Sequence, residues 1–294
     1  MAVPSLGRMS LGTGPFGKQP ADRRGAAEAA VAAAFDGGLR HFDTAPFYGL
    51  GQAERWLGAA LVGRERSSFV VSTKVGRSPV DLAGNQRAEF DFSRDSVLRS
   101  FEESLARLGL DAVDILLIHD PDDHWAEAVD LTYPVLHELR EQGVVRAIGV
   151  GMNQWHMPAR FIAETDVDVV LLAGRYSLLD RSAGEEFLPL CQERGIGVII
   201  AGVFNSGVLA TDEPAGTYFY APAPAAIIDR AQRMAAVCAR HGVSLPQAAL
   251  HFSRRHPAIT GLLVGSSTPE EVHRNLTLLD QPVPDELWAE LAEV

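Results

Sequence analysis

The sequence has few cysteines, no long apolar run and fewer basic than acidic residues. Only two of its 294 residues are cysteines, Cys191 and Cys238, which excludes a disulfide framework and a four-thiolate metal site. No stretch of about 18 consecutive apolar residues occurs, and the N-terminus lacks a basic segment followed by an apolar run. We therefore expect a soluble, cytoplasmic protein.

The acidic charge balance limits the classes of partner. The chain has 26 Lys and Arg residues against 38 Asp and Glu residues, a formal net charge of -12 at pH 7. Nucleic acids and anionic membranes attract broad basic surfaces, so neither is an expected partner. Hydrophobic residues make up 47% of the chain and charged residues 22%, which is typical of a globular protein. We expect a small-molecule substrate, and a monomer or small homo-oligomer.

Short β-rich runs alternate with longer helical patterns along the whole chain. The predicted strands are residues 9–11, 40–42, 69–73, 113–118, 145–150, 167–172, 198–201 and 261–264. The predicted helices include residues 23–35, 53–62, 93–108, 125–141, 183–194, 225–241 and 269–278. This alternation indicates parallel strands joined by helices. The length alone also fits two domains, but the absence of an internal linker favours one (β/α)8 TIM barrel domain over residues 1–294, with a short N-terminal hairpin.

Two stretches are longer and less regular than simple connections. They are residues 76–92, which are mostly polar, and residues 210–224, with the sequence ATDEPAGTYFYAPAP. Long ordered loops often cover binding sites, although variable surface loops also reach this length. We expect these stretches to help select a substrate.

Four titratable side chains follow predicted strands. Asp43 follows the second strand and precedes Tyr48 by five residues, Lys74 follows the third strand, and His119 follows the fourth. The loops after the strands converge on one face of a barrel, so these groups are expected to meet there. Taken singly, Asp43 could cap a turn, Lys74 could form a rim ion pair, and Tyr48 could be a loop aromatic.

Together, these four residue types can transfer a proton at an oxygen atom. A phenol has a pKa of about 10, and a neighbouring cation lowers that pKa, so Lys74 could activate Tyr48. Asp43 would keep the lysine charged, because a lone buried ammonium group tends to lose its proton. His119 would orient a carbonyl or hydroxyl oxygen. The other histidines, His41 among them, lack metal-ligand spacing and are expected to be structural or solvated, so no metal site is predicted. No metalloprotease or serine-elbow motif occurs, which argues against metal hydrolysis and serine-based acyl transfer.

The sequence resembles the aldo-keto reductase family over residues 9–279. The segments that carry this resemblance are FDTAPFYGLGQAERWLG at 42–58, STKVG at 72–76, SLARLGLDAVDILLIHDP at 104–121 and GVVRAIGVG at 143–151. The family's barrel carries an Asp, Tyr, Lys and His tetrad in the same chain order. The resemblance implies that Asp43, Tyr48, Lys74 and His119 take these roles beside a nicotinamide cofactor.

The resemblance also implies where that dinucleotide binds. The segment VGSSTPEEVHRN at 264–275 is similar to the family's segment for the adenosine half. Many members have a Lys and an Arg that grip the 2′-phosphate of NADP, where this chain has Gly265 and Glu271. A carboxylate repels a phosphate, so NAD is predicted over NADP, while Arg274 could still bind the phosphate.

The nicotinamide pocket departs from the family pattern. The family's glutamine on the sixth strand aligns with Ala173, and its ring-stacking tyrosine on the seventh aligns with Ala201. Other side chains are expected to replace these contacts. The predicted cofactor residues are Gly12, Thr13, Asp43, Asn153, Phe204, Asn205, Ser206, Ser266, Ser267, Arg274 and Asn275.

Four further segments resemble the aldose 1-dehydrogenase branch of the family. They are GVGMNQ at 149–154, LLAGRYSLLD at 171–180, FNSGVLA at 204–210 and YFYAPAPA at 218–225. The branch implies oxidation of the anomeric carbon of an L-fucose or D-threo type aldose to its lactone, with Tyr48 as general base. The predicted substrate contacts are Tyr48, His119, Trp125, Arg175, Tyr218 and Tyr220, with helix packing as the alternative for Trp125.

Three other functions stay open from the sequence. Oxidation of pyridoxal through its cyclic hemiacetal uses similar chemistry. General aldehyde or ketone reduction is a second alternative within the family. A nicotinamide-binding regulatory subunit is an alternative from a different class, because a fold alone does not determine a function.

Overall fold

The computed structural model describes residues 3–82, 85–219 and 221–294. Its strands are β1 (Ser10–Gly12), β2 (His41–Asp43), β3 (Val70–Val75), β4 (Arg77–Leu82), β5 (Asn85–Phe90), β6 (Ile115–His119), β7 (Ala147–Met152), β8 (Val169–Ala173), β9 (Gly197–Ala201), β10 (Thr217–Tyr218), β11 (Ala221–Pro222) and β12 (Ile259–Gly265). Its helices are α1 (Arg24–Asp36), α2 (Gln52–Leu61), α3 (Arg94–Leu108), α4 (Trp125–Glu127), α5 (Tyr133–Glu141), α6 (His156–Glu164), α7 (Phe187–Arg194), α8 (Ala225–Arg240), α9 (Leu245–Phe252), α10 (Pro269–Asp280) and α11 (Glu286–Ala292).

A closed parallel barrel forms the centre of the fold. Its strands are ordered β1, β12, β9, β8, β7, β6, β3 and β2, and β2 pairs with β1 to close the ring. Every strand predicted from the sequence is one of these barrel strands, which confirms the predicted barrel. The apolar, β-branched sequences of the strands follow from burial on both faces, inside the barrel and beneath the helices.

The segment before β1 does not form the predicted hairpin. Residues 3–9 contain no strand, and β1 instead pairs in parallel with β12 and β2. Leu6 is buried among inward-facing side chains that include Ile115, Val169 and Ile199. Burial of Leu6 inside the barrel explains why this segment packs there rather than forming a hairpin.

The helix predictions are correct in position but incomplete. The pattern over residues 125–141 is interrupted by a π-helical turn, Ala128–Thr132, between α4 and α5. The helices α6, α9 and α11 were not predicted, because each is short and two of them carry proline near the start. Ser244 caps α9 by accepting a hydrogen bond from the Gln247 N–H. Among the described helices, none has the length and hydropathy needed to cross a lipid bilayer.

Both long loops contain hairpins rather than irregular chain alone. β4 pairs antiparallel with β5, with Arg77 opposite Phe90, and β10 pairs antiparallel with β11. β4 and β5 mix polar and apolar residues without strict alternation, and β10 and β11 have only two residues each, so their sequences give no clear strand signal. The β4–β5 hairpin directly follows β3, and this places it beside the carboxyl ends of the barrel strands.

Candidate active site

Asp43, Lys74 and Tyr48 meet at the carboxyl ends of β2 and β3. Lys74 Nζ donates hydrogen bonds to Asp43 Oδ2 at 2.8 Å, to the Thr44 carbonyl at 2.8 Å and to Tyr48 Oη at 3.3 Å. Burial disfavours the ammonium form of Lys74, but the Asp43 carboxylate and the Tyr48 hydroxyl outweigh burial and raise its pKa. The lysine is therefore a fixed cation beside the phenol.

The backbone around Asp43 is held by the neighbouring strand end. Thr13 follows β1, and both its N–H and its hydroxyl donate to the Asp43 carbonyl at 2.9 Å. Gly12 lies opposite Asp43 in the β1–β2 register. Gly12 and Thr13, predicted near the cofactor, therefore lie beside the carboxylate that pairs with Lys74.

His119 ends β6 and packs edge-on against Tyr48, with ring centroids 6.1 Å apart. Its Nδ1 is buried and has no hydrogen-bond partner within the described chain. Burial first, and then the positive charges of Lys74 and Arg77, hold the pKa of His119 well below its usual value. The imidazole is therefore neutral at pH 7. The structure thus brings together all four titratable groups that the sequence singled out.

A rim of polar contacts surrounds His119. Asp120 has a left-handed backbone with φ of 45°, its Oδ2 pairs with Arg77, and its Oδ1 accepts from Asn153 Nδ2 at 3.2 Å. The Arg77 guanidinium lies over the Phe47 ring at 3.9 Å. Left-handed backbone in a non-glycine residue is uncommon and clusters at functional sites. Through its contacts with Arg77 and Asn153, Asp120 connects the β4–β5 hairpin to the end of β7.

The predicted substrate contacts have different surroundings. Arg175 donates to the Asn153 carbonyl at 2.6 Å and lies over the Phe219 ring at 4.0 Å, so it belongs to the same rim. Tyr218 is half-buried beside Phe219.

Trp125 packs on Phe161 of α6, with ring centroids 4.8 Å apart, which is the helix-packing alternative. Tyr220 lies outside the described residues.

The turn after β9 carries a buried polar side chain without a hydrogen-bond partner in the described structure. Asn205 is 3% exposed, and neither atom of its amide has a partner among the described residues. Asn205 and Ser206 both have left-handed backbones, with φ of 45° and 59°. The Asn205 Nδ2 lies 4.0 Å from the position that a Cβ on Gly174 would take. Phe204 packs into the apolar core beside this turn.

The end of β12 and the start of α10 form a second polar cluster. Asn275 Nδ2 donates to Ser266 Oγ at 3.2 Å, while the buried Asn275 Oδ1 is unpartnered in the part of the chain described. Glu271 Oε2 accepts from the Ser267 N–H at 2.6 Å and from its hydroxyl at 3.2 Å. Arg274 is exposed on α10. The Glu271 carboxylate thus occupies both the N–H and the hydroxyl donor of Ser267, just before α10.

Several residues of the site were missed by the sequence predictions. Ser72 donates to Asp43 Oδ1 at 2.7 Å, and its position two residues before Lys74 places both side chains on one strand face. This spacing could have identified Ser72. Arg77 and Asp120 had no comparable signal, because their pairing joins a hairpin to a distant strand end.

Comparisons with known proteins agree with this geometry. A sequence model of the Aldo/keto reductase family matches residues 6–294. The chain is 39% identical to D-threo-aldose 1-dehydrogenase of Pseudomonas sp, over 100% of this chain and 94% of that protein. It is 40% identical to pyridoxal 4-dehydrogenase of Microbacterium luteolum, over 99% of this chain and 94% of that protein.

A solved structure shares the fold at lower identity. The holo form of an aldo-keto reductase from Bacillus halodurans superimposes with a TM-score of 0.79 at 23% identity, covering 100% of this chain and 96% of that one. The match to the family model, the two relatives and the barrel lead to one conclusion: this chain belongs to the aldo/keto reductase family and is a nicotinamide-dependent oxidoreductase of CH–OH or carbonyl groups.

Proposed function

We propose that this enzyme oxidises the anomeric carbon of an L-fucose or D-threo type aldose to a lactone. The observation that carries the proposal is the 3.3 Å contact between Tyr48 Oη and Lys74 Nζ, with Asp43 bound to the same ammonium group. This contact supports a phenol that exchanges a proton at neutral pH. The choice of an aldose rests on the similarity to D-threo-aldose 1-dehydrogenase.

The mechanism assigns a separate role to each of the four groups. Tyr48 takes the proton of the anomeric hydroxyl as general base, and Lys74 stabilises the phenolate that accepts it. Asp43 holds the ammonium group in place through Oδ2. His119, which stays neutral, donates an N–H to the same substrate oxygen. A bound nicotinamide supplies the acceptor for the hydride that leaves the anomeric carbon.

The structure offers polar atoms that fit a dinucleotide. The unpartnered Asn205 amide and the unpartnered Asn275 Oδ1 are buried hydrogen-bonding groups, which are costly unless something binds them. Ala173 and Ala201 lie opposite each other at the ends of β8 and β9, and their small side chains leave room for a ring. Asn205, Ser206, Phe204 and Asn153 would bind the nicotinamide half in this arrangement. Ser266, Ser267, Asn275 and Arg274 would bind the adenosine half.

The position of Glu271 favours NAD over NADP. Its carboxylate accepts from the Ser267 N–H and hydroxyl, at the start of α10 where a 2′-phosphate would lie. Two anions at that point repel each other, whereas a carboxylate can accept hydrogen bonds from the ribose hydroxyls of NAD. NAD is therefore the proposed cofactor.

Pyridoxal is the second candidate substrate. The chain is as similar to pyridoxal 4-dehydrogenase as to the aldose enzyme. Pyridoxal forms a cyclic hemiacetal, so its oxidation needs the same base and the same oxygen-orienting group. The rim residues Arg77, Arg175 and Phe219 would distinguish a flat aromatic ring from a sugar.

A substrate panel tests the proposal directly. Purified enzyme is mixed with NAD or NADP and with L-fucose, other aldoses or pyridoxal, and dihydronicotinamide formation is followed by absorbance. We expect the highest kcat/KM with NAD and an aldose. A higher value with pyridoxal would select the second candidate. Faster reduction of simple aldehydes than oxidation of every sugar would contradict both.

We further propose a cytoplasmic enzyme that works as a monomer or small homo-oligomer. Both cysteines are buried and unpaired in the described structure, and burial raises the pKa of each thiol to about 12. Such thiols are unreactive and suit a reducing compartment. Fractionation of the source cells and light scattering of the purified protein test these two points.

A further inference from the structure

A chain of three polar side chains crosses the barrel interior below Asp43. His41 Nδ1 lies 2.8 Å from Ser10 Oγ, and His41 Nε2 lies 2.9 Å from Ser72 Oγ. All three residues are 0% exposed. They come from β1, β2 and β3, whereas the inward-facing side chains of the remaining barrel strands include Leu117, Val169 and other apolar residues. A buried polar group in such an interior is costly unless it is fully hydrogen-bonded.

The hydrogen bonds fix the tautomer of His41. Ser72 has one hydroxyl proton, and it donates that proton to Asp43 Oδ1 at 2.7 Å. The Ser72 oxygen can therefore only accept from His41, so Nε2 must carry the hydrogen. His41 Nδ1 then accepts from the Ser10 hydroxyl. With a neutral ring, only this arrangement pairs each donor of these side chains with an acceptor. Ser10 then donates to His41, His41 donates to Ser72, and Ser72 donates to Asp43.

We propose that His41 is a positioning residue for the proton-transfer site, acting through Ser72 on the carboxylate of Asp43. This inference rests on the proposed function, because it assigns a purpose to His41 only if Tyr48 exchanges a proton. The neutral imidazole keeps the Ser72 hydroxyl pointed at Asp43 Oδ1, while Oδ2 stays bound to Lys74. Both oxygens of the carboxylate are thereby fixed.

The charged groups around His41 are consistent with a neutral ring. Burial lowers the pKa of His41 to about 4, since it outweighs the Asp43 and Asp114 carboxylates, which raise this pKa, and the Lys74 ammonium group lowers it further. Asp114 is itself paired with Arg66 and Arg146. His41 therefore stays uncharged through the range in which most enzymes work, and its hydrogen-bond direction does not switch.

The hydrogen bonds that run from His41 through Ser72 to Asp43 should lower the pKa of Tyr48. The Ser72 hydroxyl withdraws negative charge from the Asp43 carboxylate, so the Lys74 ammonium is less neutralised and favours the phenolate of Tyr48 more strongly. Loss of these hydrogen bonds therefore raises the pKa of the Tyr48 phenol. Oxidation needs the phenolate, so the rise of its rate with pH is then shifted to a higher pH than in the native enzyme.

The first test measures the ring itself and does not depend on activity. Imidazole ¹⁵N spectra of the full-length protein labelled at histidine report the tautomer of His41, assigned by its loss in His41→Gln. We expect the Nε2–H tautomer from pH 5 to pH 8. The Nδ1–H tautomer, or an imidazolium at pH 7, would overturn the proposal even if the enzyme oxidises aldoses.

The second test measures the pH profile of oxidation with four variants. His41→Leu and Ser72→Ala should each raise the apparent pKa of kcat by about 0.5 to 1 unit, with little change in the dissociation constant of NAD. His41→Gln keeps one donor and one acceptor and should restore most of the native profile. Ser253→Ala, which removes a buried serine at the C-terminal end of α9 whose hydroxyl donates to the Ala249 carbonyl, is the matched control.

The outcomes separate this inference from the proposed function. If the native enzyme oxidises no member of the panel, the proposed function fails, while the tautomer measurement still decides the state of His41. If the native enzyme is active and the profiles of His41→Leu and Ser72→Ala match it, His41 only fills space and the inference is wrong. If His41→Leu does not fold, Ser72→Ala carries the comparison.

Discussion

Lys74 Nζ lies 2.8 Å from Asp43 Oδ2, and each of the two side chains is only 2% exposed. Such a pair is expensive to break, because removing one charge leaves the other buried without compensation. The same pair places a permanent cation beside Tyr48. The stability of the barrel and the proposed chemistry therefore depend on one contact.

Removing one member of this pair should destabilise the protein strongly. We predict that Asp43→Asn lowers the free energy of unfolding by about 3 to 5 kcal/mol, measured by urea denaturation at pH 7. The control is Glu28→Gln, which breaks the exposed pair between Arg24 and Glu28 and should leave the midpoint nearly unchanged. Equal urea midpoints for the two variants would show that the buried pair contributes no more to stability than the exposed pair.

Acid should destabilise the protein in a defined pH window because of His41. Its pKa is lowered from 6.5 in the unfolded chain to about 4 in the folded protein, so the unfolded state binds the proton first as pH falls. The stability from the neutral ring is complete above about pH 6.5 and is lost toward pH 4, by up to about 3 kcal/mol. His119 acts in the same direction.

Urea denaturation at several pH values measures this effect. The dependence of the unfolding free energy on pH between 6.5 and 4.5 should be flatter in His41→Gln than in the native protein. His273→Gln changes an exposed histidine on α10 and should keep the native slope. If His41→Gln keeps the native pH dependence of the unfolding free energy, groups other than His41 cause the loss of stability in acid.

Glu271 should control the choice between the two dinucleotides. We predict that Glu271→Gln raises kcat/KM with NADP relative to NAD about tenfold, because it removes one anion from the phosphate position. Glu270→Gln, one residue earlier in the same helical turn, should leave the ratio unchanged. A native enzyme that already prefers NADP would contradict the role assigned to Glu271.

Asp120 offers a matched pair of substitutions at the rim. Both Asp120→Asn and Asp120→Ala remove the charge that pairs with Arg77, but asparagine tolerates the left-handed backbone better than alanine. We predict that the alanine variant is less stable by about 1 kcal/mol, and that both variants raise KM for the substrate several-fold. Equal thermal stability would show that the backbone at this position carries no strain.

The sequence predicted the barrel well because both faces of each strand are buried. Strands such as Ile115–His119 are continuous apolar runs that end at a polar residue, and parallel topology brings those ends to one face. The positions of Asp43, Lys74 and His119 follow from this rule. The Arg77 to Asp120 pair does not, because a hairpin can approach many strand ends and the sequence does not select one.

The hydrogen-bond chain of His41 shows a second limit of sequence analysis. Alternation along β2 places His41 on the same face as Asp43, yet a lone histidine inside a strand pattern gives no sign of its partners. The strand register places Val70 opposite His41 and Ser72 opposite Asp43, so His41 reaches Ser72 diagonally across the two strands. The packing in three dimensions therefore gives specific partners to a residue that the sequence predicted only as a structural or solvated histidine.

The central claim is that Tyr48 moves the substrate proton, and Tyr48→Phe tests it most directly. The comparison is kcat for aldose oxidation with NAD in the native enzyme and the variant, together with the dissociation constant of NAD measured by fluorescence quenching. We predict a fall in kcat of about 10² to 10⁴-fold with an unchanged dissociation constant. A variant that binds NAD and keeps the native kcat would contradict the account.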